Sequence, residues 1–437
     1  MRKVAVETID PVRRRLTIEV EQAEVNSEAQ KLYSELARNA RVRGFRQGRV
    51  PRPVLERLFG DQVRADVFAK LIQASYTEAL RQQNIEPVAQ PEITTEEAAP
   101  GSGLRYSAVV EVKPQVELGN YDGLEAERPL RAVTEADVTA FLGGLRESFA
   151  QLVPVTDRKV AQAGDIATVD YEALAGERLV AKRRDRKVEV AAAGNESQFG
   201  SHLEGAEIGK EKTFAIDYPG DYSERELAGQ RVTFKVQLHA LAVKDVPALD
   251  DEFAKDHGEC ETLEELRSKV QQHLEAQANQ EADQELRSAL IKKLVAAHDF
   301  AVPSSMLARR QELMIEQFFD GLGPQRPPPG REAELVAHLR ERFEPEARDQ
   351  VKAALILDAI AEREKIEVSE KELDAAVETI VRRARGQEAE QLRAQYADPG
   401  VRAGLRARIL QNRAIDLVAS RAKVTTVERK SGVAEVG

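Results

Sequence analysis

Arg41, Arg43, Arg46, Arg49 and Arg52 crowd into a twelve-residue stretch that holds no other charged side chain. The chain as a whole, 437 residues long, carries a formal net charge of −11. A purely cationic stretch on an acidic protein calls for a local partner, either a polyanion or an acidic surface. Gly44 and Gly48 bracket Phe45-Arg46-Gln47, and glycines allow the tight bends that would push these three residues out on a loop tip. A Phe held outside beside guanidinium groups is an apolar anchor flanked by groups that grip phosphate or carboxylate. The alternative is a solvated arginine-rich turn with Phe45 folded inward. Other reactive chemistry is sparse. Cys260 is the single cysteine and sits in Gly-Glu-Cys-Glu-Thr, where the flanking glutamates disfavour a thiolate. One cysteine excludes an internal disulfide framework and fits a reducing compartment. No Gly-x-x-x-x-Gly-Lys-Ser/Thr loop is present to hold a nucleotide.

The elements that must position the arginine stretch can be read on either side of it. Leu16, Ile18 and Val20 alternate with polar residues as a half-buried strand. Val25, Ala29, Leu32, Leu36 and Ala40 recur at helical spacing and end where the arginines begin. Pro51 suits a helix first turn, and Val54, Leu55 and Leu58 lead to Gly60, which reads as a helix stop. Val63, Val67, Leu71 and Ala74 mark a further helix to about Asn84, and Leu104, Tyr106, Ala108, Val110 and Val112 alternate as a strand. Residues 1–113 therefore read as an α+β domain with the basic loop joining two helices. The charge lies on the loop and not along a helix, which argues against a sequence-specific nucleic-acid reader.

The remainder divides by pattern. Residues 114–154 read as a turn-rich linker and a linker helix, opened by the capping sequence Thr134-x-x-Asp137 and carrying Val138, Phe141, Leu142, Leu145 and Phe149 on one face. Residues 155–245 change character to short alternating runs, such as Val232, Phe234, Val236 and Leu238, separated by Gly, Asp and Pro turns: a small β-domain. Residues 246–430 read as helical. Capping boxes stand at Thr262-x-x-Glu265 and Ser369-x-x-Glu372, and helices are expected near 331–343, 345–363, 370–386 and 399–421. The first long helix has a polar middle from Glu275 to Glu285, the pattern of an arm. Residues 431–437 read as a tail. The fold class is thus α+β and multidomain, as a chain of this length requires about three cores. The N-terminus lacks the apolar core of a signal peptide, and no run reaches the ~18 apolar residues of a membrane span. The expected location is cytoplasmic, with no membrane partner.

Gly44-Phe-Arg-Gln-Gly-Arg-Val-Pro51 closely resembles the ribosome-docking signature of the trigger factor family, in which Lys usually stands at the position of Gln47. The order of parts along nearly the whole chain follows that family. The resemblance implies ribosome contact through Arg43, Gly44, Phe45, Arg46, Gln47, Gly48 and Arg49, to ribosomal protein and rRNA at the tunnel exit. It implies ATP-independent holding of unfolded and nascent polypeptides by the helical half, with no cofactor and no metal. Whether the free chain forms a homodimer stays open. Gly164-Asp-Ile-Ala-Thr-Val-Asp-Tyr171, Gly209-Lys-Glu-Lys-Thr-Phe214 and Tyr218-Pro-Gly-Asp-Tyr222 resemble the family's FKBP-type prolyl isomerase insert. The matching pocket positions are Asp170, Tyr171, Val180, Phe199, Tyr222 and Phe234. Where the insert usually reads Ile-Pro-Gly-Phe, this chain has Glu196-Ser-Gln-Phe199, and a pocket Phe is replaced by Val180. An FKBP-like shell with little turnover and a domain with residual activity are both compatible with these changes. A free prolyl isomerase that never docks is the alternative function; it requires an intact pocket.

Overall fold

The computed structural model describes residues 3–43, 45, 49–96, 103–191, 197–219, 229–258, 260–323 and 329–429. The chain begins with β1 (Lys3–Asp10), β2 (Arg13–Val20), α1 (Gln22–Asn39), α2 (Arg52–Gln83), β3 (Glu92–Thr95) and β4 (Leu104–Glu111). β5 (Glu125–Arg131), α3 (Glu135–Ser148) and β6 (Gln151–Pro154) follow an extended segment. The β-domain holds β7 (Asp165–Ala175), β8 (Arg178–Glu189), the short α4 (Ser197–Ser201), β9 (Glu211–Asp217) and β10 (Arg231–Asp245). The rest is α5 (Asp251–His257), α6 (Leu263–Ala297), α7 (Ser304–Leu322), α8 (Pro329–Arg363), α9 (Glu370–Val381), α10 (Gln387–Tyr396), α11 (Pro399–Arg421) and β11 (Lys423–Arg429), which pairs with β5.

These elements form two compact units: residues 1–129 with 282–427, and residues 130–281 with 428–437. The expected boundary at 246 therefore moves, because α5 and the first half of α6 pack with α3. There Val138, Leu142, Phe253, Cys260, Leu266 and Val270 share a core.

In the first unit an antiparallel sheet of order β1-β2-β4-β3 buries Leu16, Ile18, Tyr106, Ala108 and Val110 under α2. The Ser75 hydroxyl lies 2.7 Å from the Tyr106 hydroxyl, and the Tyr106 hydroxyl donates to the Ile72 carbonyl. Both side chains are buried, so this small polar network sets the register of helix on strand. Gly60 does not stop the helix. Leu55, Phe59, Val63, Val67, Leu71, Ser75 and Ala79 recur every four residues as one stripe, and all but Phe59 are fully buried. A break at Gly60 would forfeit that burial to save the ~1 kcal/mol that glycine costs in a helix.

The helical part is built around Leu286, Leu290 and Leu294 of α6, Ile356 and Ile360 of α8, and Ile415 and Val418 of α11. Tyr121 and Ala126 from the extended segment and β5 complete this core. α8 likewise runs through Pro345, where the sequence pattern suggested two helices. Leu339 before the proline and Ala347 and Val351 after it are all buried, and this outweighs the ~3 kcal/mol proline penalty. The helix expected over 370–386 ends at Val381, and α10 is an additional element. The chain after Val427 extends β11 to Arg429.

Three polar clamps fix the extended segment and the start of α7. The His298 ring accepts from the Gly119 backbone N–H at Nε2 (3.0 Å), so its Nδ1 donates to the Leu294 carbonyl (2.7 Å). Glu364 receives the Tyr121 hydroxyl at 2.6 Å and both Arg421 guanidinium nitrogens at 2.9 Å. Arg421 first and Tyr121 second hold its carboxyl down to about 2. At α7, Pro303 supplies no side-chain cap, and the Glu111 carboxylate takes that role from the end of β4. It accepts the backbone N–H groups of Ser304 (3.2 Å) and Ser305 (2.8 Å) and both their hydroxyls. Burial pushes the Glu111 carboxyl up, but these four donors outweigh it and hold it below the usual carboxylate value. Glu111→Ala is expected to cost about 1–2 kcal/mol, the scale of a lost helix cap. Hydrogen exchange of the first turn of α7 reads this directly, and protection there should fall before that of β4.

Candidate functional site

The basic loop spans residues 40–51, between α1 and α2. Its entry is turned by the Phe45 N–H donating to the Val42 carbonyl at 3.0 Å, and Val50 is buried where the loop rejoins the domain. Phe45 is 41% exposed and belongs to no core cluster, so it is not folded inward. Arg41, Arg43 and Arg49 are exposed around it. Arg52 is different. Its guanidinium is bound to Glu56 at 2.8 Å and lies 5.3 Å from the centre of the Tyr33 ring, so it braces the two helices at the loop's base. Gly44, Arg46, Gln47 and Gly48 lie outside the described residues. The described part is a cationic rim around one solvent-held aromatic ring.

The β-domain sheet runs β6-β10-β7-β8, with β9 added on β10, antiparallel throughout. Strand alternation puts Ala167, Val169, Tyr171 and Ala173 of β7 and Val232, Phe234, Val236 and Leu238 of β10 on the core face. Phe199 of α4 caps this face. The ring centres are 5.2 Å apart for Tyr171–Phe199, 5.1 Å for Phe199–Phe234, 5.4 Å for Phe199–Phe214 and 5.8 Å for Tyr171–Phe234. Val180 packs half-buried against the same core. Phe234 is buried, whereas Tyr171, Phe199 and Phe214 keep part of their surface open. Such a floor can hold a pyrrolidine ring by apolar contact and carries no group that could act as a nucleophile.

The structure brings together Tyr171, Val180, Phe199 and Phe234. It does not bring Asp170 to them. As the neighbour of Tyr171 on β7, Asp170 projects from the opposite face, where it accepts the Asp185 N–H at 2.8 Å and stands 3.1 Å from His239 Nε2. The Asp185 amide first, and His239 after it, hold the Asp170 carboxyl below its usual range. Asp185 sits in a bulge of β8 with φ at 51°, which shifts the β7–β8 register beside Asp170. Tyr222 and the Glu196 position lie outside the described residues, as do the Ser197 and Gln198 side chains. Sequence reasoning missed Phe214 as a member of the cluster, and His202, whose ring stacks on Phe214 at 4.7 Å. The available signal was strand pairing: Phe214 lies directly opposite Phe234 in the β9–β10 register.

A third feature is an open cavity of about 1300 Å³ in the first unit, between α6, α7, α8 and α11. Met306, Leu313, Val295 and Leu357 give it apolar walls, and Arg309 and Lys352 line it among charged groups of both signs. Leu313 remains 42% exposed there. Among the described residues no helix is long and apolar enough to cross a membrane.

Comparison with known proteins identifies the family. The family model described as bacterial trigger factor protein matches residues 2–145, and the one for its C-terminus matches residues 262–420. The trigger factor of Anaeromyxobacter dehalogenans is 36% identical over 97% of this chain and 99% of its own length. That of Geotalea daltonii is 32% identical over 98% and 99%. A solved trigger factor chaperone, studied for promiscuous substrate recognition in folding and assembly, is 20% identical and superposes with a TM-score of 0.52 over 96% of this chain and 99% of that one, which shows a shared fold. Matches on both sides of the β-domain do not favour a free isomerase, although the family does carry a prolyl isomerase domain. The basic loop, the β-domain sheet and the helical core thus occur in one shared order, and the chain belongs to the trigger factor family of ribosome-associated, ATP-independent chaperones that hold nascent polypeptides.

Proposed function

We propose that this chain docks at the ribosomal tunnel exit through residues 43–49, with Phe45 as the apolar anchor and Arg43, Arg46 and Arg49 contacting ribosomal protein and rRNA phosphate. The observation that carries this is the exposed Phe45 ring held among arginines on a loop whose base is braced by Arg52. Gly44, Gln47 and Gly48 complete the loop. The cavity walled by Met306 and Leu313 holds emerging apolar segments, and its mixed charges favour weak, promiscuous capture, which a holdase needs if clients are to leave and fold. The aromatic floor of Tyr171, Phe199 and Phe234, with Val180 beside it, takes proline. Isomerisation there needs no proton transfer: the barrier of ~18–20 kcal/mol is amide resonance, and apolar surroundings that bind the twisted imide lower it. Asp170 acts from behind the sheet by fixing the β8 bulge. The working place is the cytoplasm, and a free homodimer is one storage form.

Co-sedimentation with ribosomes across a salt series tests the docking. The chain should pellet with ribosomes at low salt and progressively less as salt rises, since guanidinium–phosphate contacts release counterions. Pelleting that ignores salt, or none at low salt, would overturn the reading.

A further inference from the structure

β7 lies between β8 and β10, and each neighbour carries an extra residue against it. On β8, Arg184 and Asp185 together oppose the single residue Asp170, since Arg186 pairs with Val169 and Arg183 with Tyr171. On β10 the extra residue is His239, between Leu238, opposite Val169, and Ala240, opposite Thr168. An extra residue reverses which alternate side chains face the core. Leu238 and Leu241 are therefore both buried although three positions apart. A bulge on an edge strand such as β8 can serve simply to spoil unwanted pairing. β10 is an inner strand and needs no such guard.

The two bulges meet at one carboxylate. Asp170 Oδ1 accepts the Asp185 N–H at 2.8 Å, and Oδ2 stands 3.1 Å from His239 Nε2. An ionised carboxylate only accepts, so Nε2 carries the proton and donates it. Asp185 has φ at 51°, a backbone region that a residue with a side chain enters at a cost, and Asp170 holds its N–H there. Tyr171, the next residue of β7, faces the other way, into the aromatic cluster.

We propose that His239 and Asp170 form a latch across the back of β7 that ties both bulges together and sets the aim of Tyr171, so that His239 is a positioning residue for a ring on the opposite face of the sheet. This rests on the reading of Tyr171, Phe199 and Phe234 as a floor for proline and supplies that floor's support. Bulges beside a site re-aim side chains because they bend and twist their strand. A carboxylate shared between two bulges couples β8 to β10 through the strand that carries Tyr171.

The test uses the full-length chain labelled with 3-fluorotyrosine, with the Tyr171 fluorine resonance assigned through Tyr171→Phe. His239→Ala and Asp170→Ala should each move that resonance. The double variant should move it no further than Asp170→Ala, because His239 acts only through that carboxylate. Turnover of a Leu-Pro peptide is followed by NMR exchange. His239→Ala should lower kcat about threefold, the scale of a partly exposed pair. KM should stay nearly constant, since a misaimed ring loses the twisted imide more than the resting peptide. His239→Gln keeps an N–H donor and should recover part of the loss. The His239 side chain is 37% exposed, so its removal should leave the circular dichroism spectrum unchanged. A Tyr171 resonance that ignores His239→Ala, additive shifts in the double variant, or Gln as poor as Ala overturns the proposal. Absence of turnover in the parent overturns the isomerase reading instead, and the Tyr171 resonance then decides the latch by itself.

Discussion

Alanine at both Phe45 and Arg46 is expected to lower ribosome affinity at least about thirtyfold, so that a chain which pellets with ribosomes at low salt stays in solution. Buried aromatic and arginine anchors each carry ~2 kcal/mol or more of an interface, and every 1.4 kcal/mol is about tenfold in affinity. The loss should come without loss of fold. Phe45 is 41% exposed and touches none of the cores, so the unfolding midpoint of the double variant should match the parent. Loss of one arginine should also flatten the dependence of log affinity on log salt by about one. A variant that pellets like the parent would remove the docking role from the loop. Arg52→Ala is the contrasting case. It releases Glu56 and Tyr33 and should act through the loop's footing, with a smaller and less salt-sensitive effect.

Asp165→Asn should destabilise the β-domain by about 2–3 kcal/mol, toward the lower end for a broken buried pair because Arg158 is partly solvated. Asp165 is 3% exposed and receives both Arg158 guanidinium nitrogens at 2.5 Å and the Gln162 N–H at 2.8 Å. The Arg158 contact chiefly, helped by the Gln162 amide, holds its carboxyl below the ordinary aspartate value despite burial. The sign of the pH effect follows. The folded state prefers the ionised form, so this contribution is fully present above the unfolded pKa of ~3.9. It is lost as pH falls through the depressed folded value. Chemical denaturation at pH 7 and near pH 3 should show the parent losing stability on acidification, while Asp165→Asn loses less. Parallel curves for the two proteins would show that this pair does not govern acid unfolding of the domain.

Local pattern made some of this architecture legible and distant packing hid the rest. The alternations at Leu16–Val20 and Leu104–Val112 appear as β2 and β4 because one face of each is buried and the period is unambiguous. The capping boxes at Thr134 and Ser369 form as their spacing dictates, since both partners lie within one turn. Gly60 and Pro345 misled for a shared reason. Their penalties are local and visible, while the burial that overrides them depends on helices and strands far away in sequence. In the aromatic cluster of the β-domain the ring residues could be named from the insert's pattern. The side of the sheet on which Asp170 falls could not, because strand parity and a one-residue bulge at Asp185 decide it. Which arginine of β8 stands opposite Tyr171 is likewise decided by the ladder register and its bulge, and not by local spacing.

The first unit is made from two separated stretches, with residues 130–281 spent on the other. Arg421 meets Asp122 across 299 positions of chain, and Tyr121 and Ala126 share their core with Ile415 and Val418. At ~5–20 residues per second of synthesis, that gap lasts roughly 15–60 s. During this interval the linker's apolar side chains have left the tunnel and have nothing to cover them. The second unit draws on contiguous sequence up to residue 281 and can close first. A protein whose work is to shelter unfinished chains is therefore itself a late finisher, and its own birth passes through the exposed state that it guards against in others.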